Sequence, residues 1–126
     1  AGDCEQLARA ASAGKPVLVL CYNEPMAVKL GVRLGMGSDA VYSMFGQNTR
    51  ELEWFVKAGM TPTQALATAT TTAAALLGVD DRLGRIAPGY LADIVAVDGD
   101  PTTNILALPS GVRWVMKDGR VVVALK

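Results

Sequence analysis

The sequence predicts an α/β fold in which helices alternate with apolar strands through the first half and give way to β strands in the second. Three observations lead there. Two apolar segments, Pro16–Tyr22 and Val32–Gly37, each follow a short helical stretch, which is the rhythm of βα units. Two helix starts carry capping signals, Asn48-Thr-Arg-Glu51 and Thr61-Pro-Thr-Gln64. Near the C-terminus, two apolar runs flank Lys117-Asp-Gly-Arg120, the chemistry of a tight hairpin.

In chain order, Glu5–Ala13 is alanine-rich and reads as a short helix ended by Gly14. Pro16–Tyr22 is apolar throughout, as expected of a strand covered on both faces in a parallel sheet. Asn23–Gly31 offers one or two helical turns, with Pro25 near the start and Gly31 as the stop, and Val32–Gly37 is a second strand. The helix opened by Asn48-Thr-Arg-Glu51 places Leu52, Phe55 and Val56 on one face and stops at Gly59. The next helix has proline at its first position, carries Ala65, Leu66, Ala69, Ala73, Leu76 and Leu77 at helical spacing, and ends at Gly78. Asp80-Asp-Arg82 and Pro88-Gly89 are turns, and Leu91–Val97 alternates as a strand around Ile94, Val95 and Val97. Asp100-Pro101 caps a single turn through Leu106. Val112–Met116 and Val121–Leu125 then form a hairpin, because Asp118-Gly119 supplies the positive backbone angles of a type I′ turn. The expected division is residues 1–78 for the helical half and 79–126 for the β tail.

Composition excludes several functions. The chain has 126 residues, 51% hydrophobic, with 12 basic and 12 acidic side chains and no net charge, so it lacks the electrostatic footprint of a nucleic-acid or membrane-surface binder. No apolar run reaches the ~18 residues of a membrane span. Cys4 and Cys21 follow no disulfide or metal spacing, which suits a reducing compartment and sets the expected location as cytoplasmic. The most informative count is zero histidines: neither a Ser-His-Asp nor a multi-histidine zinc site can be completed within this chain.

One stretch has the makings of a site. Gly35-Met-Gly-Ser-Asp39 ends a strand on a carboxylate, and in parallel α/β folds ligands bind at the C-terminal ends of strands. Arg33, Gly35, Gly37 and Asp39 share one face, and Val32, Leu34 and Met36 share the other. The apolar parity is expected to pack on helices, while the two glycines leave open space below Asp39 in a barrel interior or cleft. Local sequence alone also allows Asp39 to start a turn or to cap the residues after it, and favours that simpler role.

The order of motifs then resembles a known family. Gly37-Ser-Asp-Ala40, Gly46-Gln-Asn48, Arg50-Glu-Leu-Glu53, Ala58-Gly-Met-Thr-Pro62, Leu76-Leu-Gly78, Ile86-Ala-Pro-Gly89, Ala92-Asp-Ile-Val95, Asp98-Gly-Asp-Pro101 and Val115-Met-Lys-Asp-Gly119 together are similar to the C-terminal third of the amidohydrolase superfamily. The branch most resembled holds the prolidase-like and imidazolonepropionase-like enzymes. The resemblance runs from about Gly31 to the end. It implies a (β/α)8 barrel that binds one or two divalent metals, usually zinc, and activates water to hydrolyse an amide or related C–N bond. It also implies a small β-sandwich beside the barrel. Val32–Gly37 would then be the last barrel strand, the two capped helices would close the barrel, and the hairpin would belong to the sandwich.

By the same resemblance Asp39 is the aspartate that touches the metal and accepts a proton from the bound water, which displaces the capping role. Tyr42, Met44 and Phe45, on the loop after it, are candidates for a substrate-binding wall; many family members carry a histidine in place of Phe45. An apolar or aromatic group beside the scissile bond is the expected substrate feature. Asp93, Asp98 and Asp100 are expected to serve turns and caps, and Trp54 and Trp114 to be core or interface residues. The family's other metal ligands lie on earlier strands, and the nine residues Asn23–Gly31 are fewer than the dozen or more of a parallel crossover. The expectation is therefore the C-terminal part of a metal-dependent amidohydrolase, inactive alone, whose missing strands come from more of the same polypeptide or from another chain. Its partners would be a small-molecule substrate and further copies of itself, without nucleic acid or membrane. The rival reading is a non-catalytic remnant or interaction module that packs against another protein.

Overall fold

Residues 24–125 are described by the structure, a computed structural model. The helix expected over Glu5–Ala13 and the strand over Pro16–Tyr22 lie outside the described residues. Helix α1 spans Glu24–Lys29 and ends as its glycine foretold, with Gly31 at φ 68°. A residue without Cβ takes that left-handed angle at little cost, and Gly31 N closes the turn on Val28 O at 3.0 Å.

Val32–Gly37 is extended but forms no strand ladder among the described residues, which corrects the expected second strand. Its side-chain alternation is nonetheless present: Leu34 and Met36 pack against the core, while Arg33, Gly35 and Gly37 face outward. A strand needs a neighbour to pair with, and here the chain is anchored instead by Met36 N donating to Thr68 O at 2.9 Å.

After two 3-10 turns at Tyr42–Met44 and Asn48–Arg50 come α2 (Glu51–Lys57), α3 (Pro62–Thr68) and α4 (Thr71–Leu76). Leu52 and Phe55 are buried on α2 as their spacing predicts. Asn48 does not cap this helix; α2 begins three residues later with no side-chain cap bond. Trp54 is 59% exposed, and Lys57 Nζ lies 4.5 Å from its ring centroid, so it is not a core residue. The capping box of α3 is complete: Gln64 N donates to Thr61 Oγ1 at 3.2 Å and Thr61 N to Gln64 Oε1 at 2.8 Å, with Pro62 in the first turn.

The long helix expected from Thr61 to Gly78 is broken into α3 and α4 at Thr70, whose φ and ψ are −129° and −99°. Threonine hydroxyls compete for helix carbonyls: Thr68 Oγ1 donates to Ala65 O at 2.6 Å and Thr70 Oγ1 to Leu66 O at 2.9 Å. The carbonyl of Thr68, which a continuous helix would give to residue 72, accepts from Met36 instead. Past the break Leu76 and Leu77, which the helical spacing grouped with Ala65 and Leu66, are 48% and 77% exposed. Gly84, at φ 92°, fits beneath the break, where an added Cβ would come within 2.9 Å of Thr70 O.

The tail is a three-stranded antiparallel sheet in the order β1 (Ile94–Val97), β2 (Val112–Lys117), β3 (Arg120–Ala124). Asp118 and Gly119 take φ of 50° and 73°, the pair of positive angles the hairpin requires. A short helix, α5 (Ala107–Gly111), precedes β2 and has no signal in the sequence. The core joins Leu52, Phe55, Ala65 and Ile105, with Leu34, Met36 and Leu108 against it, so residues from both sides of Gly78 share it. The sheet is a single layer: Val95, Val121, Val122 and Leu125 are exposed, and the second layer of a sandwich is not among the described residues. No helix of the described residues is long and apolar enough to cross a membrane.

Candidate functional site

Asp39 ends the extended segment on the exposed face shared with Arg33, Gly35 and Gly37, opposite the side chains that bind the helical core. That placement follows from strand parity, as the sequence implied. The space below it is only partly open. An added Cβ at Gly37 meets nothing within 4 Å, but at Gly35 it would come to 2.8 Å from Leu76 Cδ1. The expectation of two vacant glycine positions is thus corrected at Gly35, because the break before α4 swings Leu76 onto it.

The backbone of Asp39 is left-handed, at φ 45°, and Tyr42 shares that region at φ 51°. Such angles cost a non-glycine residue of order 1–3 kcal/mol, and they persist where the surroundings hold them. Asp39 makes no side-chain hydrogen bond or ion pair among the described residues, so it caps nothing there. The neighbouring Ser38 is engaged: Asn48 Nδ2 donates to Ser38 Oγ at 3.0 Å, tying the end of the extended segment to the turn before α2.

Tyr42 and Met44 lie in the next 3-10 turn and Phe45 just after it, with exposures of 88%, 47% and 77%. The structure keeps them within six residues of Asp39 in sequence but closes no wall from them among the described residues. A cleft of about 240 Å³ opens elsewhere, at the start of the extended segment, lined by Val28, Val32, Leu34, Met60 and Thr68 among others.

The other carboxylates serve the tail, as expected. Asp93 accepts from Lys117 Nζ and, at 2.7 Å, from Asp118 N, and the lysine contact foremost, then the amide, holds its carboxyl below the ordinary aspartate value. Asp98 pairs with Arg113 Nε at 2.5 Å. Asp100 Oδ1 accepts from Thr102 Oγ1 and Thr102 N at 2.6 and 2.9 Å, and those bonds lower its pKa in that order.

A catalytic zinc takes three protein ligands. The chain has no histidine, and no three aspartates and glutamates among the described residues come together, so these residues do not by themselves fit a metal ion. Asp39 could supply one ligand at most.

Comparison with known proteins fits this arrangement. The chain is 45% identical over 67 residues to the adenine deaminase of Petrotoga mobilis, a match covering 53% of this chain and 10% of that protein. A solved Xaa-Pro dipeptidase with methionine bound in its active site superposes with a TM-score of 0.74 at 37% identity, over 80% of this chain and 25% of its own. A prolidase in complex with N-methylphosphonate-L-proline does so with a TM-score of 0.74 at 30% identity, over 80% and 25%. The chain thus spans about a quarter or less of the length of each of these relatives. The model of the amidohydrolase family matches residues 22–122, and with that the chain belongs to the amidohydrolase family.

Proposed function

We propose that the chain forms the C-terminal part of a metal-dependent hydrolase of C–N bonds, contributing the last strand and closing helices of a (β/α)8 barrel and strands of a flanking β-sandwich. In this reading residues 1–78 belong to the barrel and 79–126 to the sandwich. The family generally uses divalent metals, and zinc suits hydrolysis of this kind. The remaining ligands would come from residues outside this chain, which alone is then inactive. Asp39 has the role of proton acceptor for the attacking water. The observation that carries the reading is its placement: a strained, exposed carboxylate with no structural partner among the described residues, at the end of a segment whose other face is built into the core.

Tyr42, Met44 and Phe45 would form an apolar wall beside the scissile bond once the rest of the barrel surrounds them. The uncovered apolar residues Leu77, Ile86, Val95 and Val122 support a further layer, supplied by more of the same polypeptide or by a second copy. The substrate would be a small molecule with a C–N bond, a dipeptide, an N-acyl amino acid or a cyclic amide; the dipeptidase among the relatives supports the first of these, and the adenine deaminase adds an aminopurine. The cytoplasm remains the proposed location.

In the complete hydrolase, Asp39→Asn keeps the shape of the side chain and removes its charge and basicity. Turnover on a panel of dipeptides, N-acyl amino acids, cyclic amides and adenine should fall ~10²–10⁴-fold with the fold intact. Phe45→Ala should raise KM and leave kcat close to the parent value. Near-normal turnover in Asp39→Asn overturns the assignment and favours a non-catalytic packing module.

A further inference from the structure

The segment between Ser38 and Asn48 is a loop closed at its neck by a single side-chain bond, Asn48 Nδ2 to Ser38 Oγ at 3.0 Å. Within it, Met44 N reaches Val41 O at 3.0 Å, Phe45 N reaches Tyr42 O at 3.3 Å and Gln47 N reaches Met44 O at 3.0 Å. Gln47 Nε2 adds a bond to Ser43 O at 3.1 Å and is itself held, through Oε1, by Arg50 Nη1 at 2.7 Å. The loop's ends are close and its turns are tied by hydrogen bonds within it, while the side chains of Val41, Tyr42, Met44 and Phe45 stay exposed.

Asp39 is the first residue past the neck. Its left-handed backbone needs outside support, and its own side chain supplies none among the described residues. The support nearest to it is the bond on the preceding residue. Asn48 is free to make that bond because it forgoes the helix cap its sequence position suggests; α2 starts at Glu51 without any side-chain cap.

We infer that Asn48 is a positioning residue: by clipping the loop neck through Ser38 it fixes the direction in which Asp39 presents its carboxylate. The inference rests on the reading of Asp39 as proton acceptor and names the device that aims it. Asn48 touches no reacting atom in this role. Misaiming a reacting group by an ångström costs up to ~10²-fold in rate, and loss of one clip on a loop that keeps its other bonds should cost about tenfold.

The test uses the complete enzyme, with steady-state kinetics on the substrate panel above and amide hydrogen exchange followed by mass spectrometry. Asn48→Ala should lower kcat about tenfold with KM changed less than about twofold, and speed exchange across residues 38–47 but not across α2. Ser38→Ala should match it, whereas Ser38→Thr, which keeps the hydroxyl, should stay near the parent. In an Asp39→Asn background, Asn48→Ala should cost nothing further, since its effect passes through Asp39. A fully additive loss in that background overturns the inference, as does faster exchange spread equally through α2. Unchanged exchange in Asn48→Ala, with Asp39→Asn inactive, overturns the clip alone. Normal turnover in Asp39→Asn instead overturns the proton-acceptor reading, and the positioning role falls with it.

Discussion

At the entrance to β1, Asp93 accepts hydrogen bonds from Lys117 and from the Asp118 amide, while at the end of the extended segment Asp39 accepts none among the described residues. The two regions differ in the same sense throughout. The tail closes its own turns with its own carboxylates, and its strands pair with neighbours no more than about 25 residues away. The Val32–Gly37 segment has no ladder partner among the described residues, and Asp39, just beyond it, has no hydrogen-bond or ion-pair partner among them. Side chains that satisfy their neighbours hold a fold together, whereas an exposed carboxylate with no protein partner among the described residues, on strained backbone, is free to meet a ligand.

The largest effect that bears on this contrast is at the shared core. Leu52 is 2% exposed and packs with Ile105 from the tail, so Leu52→Ala should cost about 2–5 kcal/mol in denaturant unfolding. Far-ultraviolet circular dichroism should show helices and sheet melting together; a sheet that outlasts the helices would mean that the two regions are energetically separate. Amide exchange gives the next largest effect. In the isolated chain, the amides of Arg33, Leu34 and Gly35 should exchange at least tenfold faster than those of β2, with Met36 protected by Thr68 O. Slow exchange throughout 33–35 would reveal a partner for this segment and erase the contrast.

The smallest effect is acid-specific. Asp93 is depressed below its ordinary value of 3.8, so the stability it lends is fully present above that pH and is lost as pH falls through the lower native value. Asp93→Asn should therefore lower the Tm at pH 7 and lower it by less at pH 3. Asp39→Asn should move the Tm at neither pH, and an equal loss in the two variants would remove the distinction between them.

Short-range chemistry decides the features that were legible in the sequence. The Thr61–Gln64 box, the Asp118-Gly119 turn, the Gly31 stop and the burial of Leu52 and Phe55 each depend on residues a few positions apart, and each is present. The parity of Leu34 and Met36 was also legible, because alternation is a property of the chain itself. The rest turned on distant partners. Nothing within the Thr68–Ala75 stretch announces that Met36 will take a helix carbonyl, so the break at Thr70 and the exposure of Leu76 were out of reach. Asn48 carries a cap signature and spends its amide on Ser38, ten residues back. Asp39 is singled out because it ends an apolar run and stands in the family's motif; the proposed wall of Tyr42, Met44 and Phe45 would depend on surfaces these residues do not themselves provide.

The carbonyl of Thr68 has a consequence for the order of folding. A helix continued through residue 72 would bring the Thr72 amide onto that oxygen and crowd the approach of the Met36 amide. A helix that closed first would have to reopen before the extended segment could dock, adding a barrier to assembly. The crowded threonines from Thr68 to Thr72 propagate a helix poorly, and in doing so they keep that seat vacant until Met36 arrives.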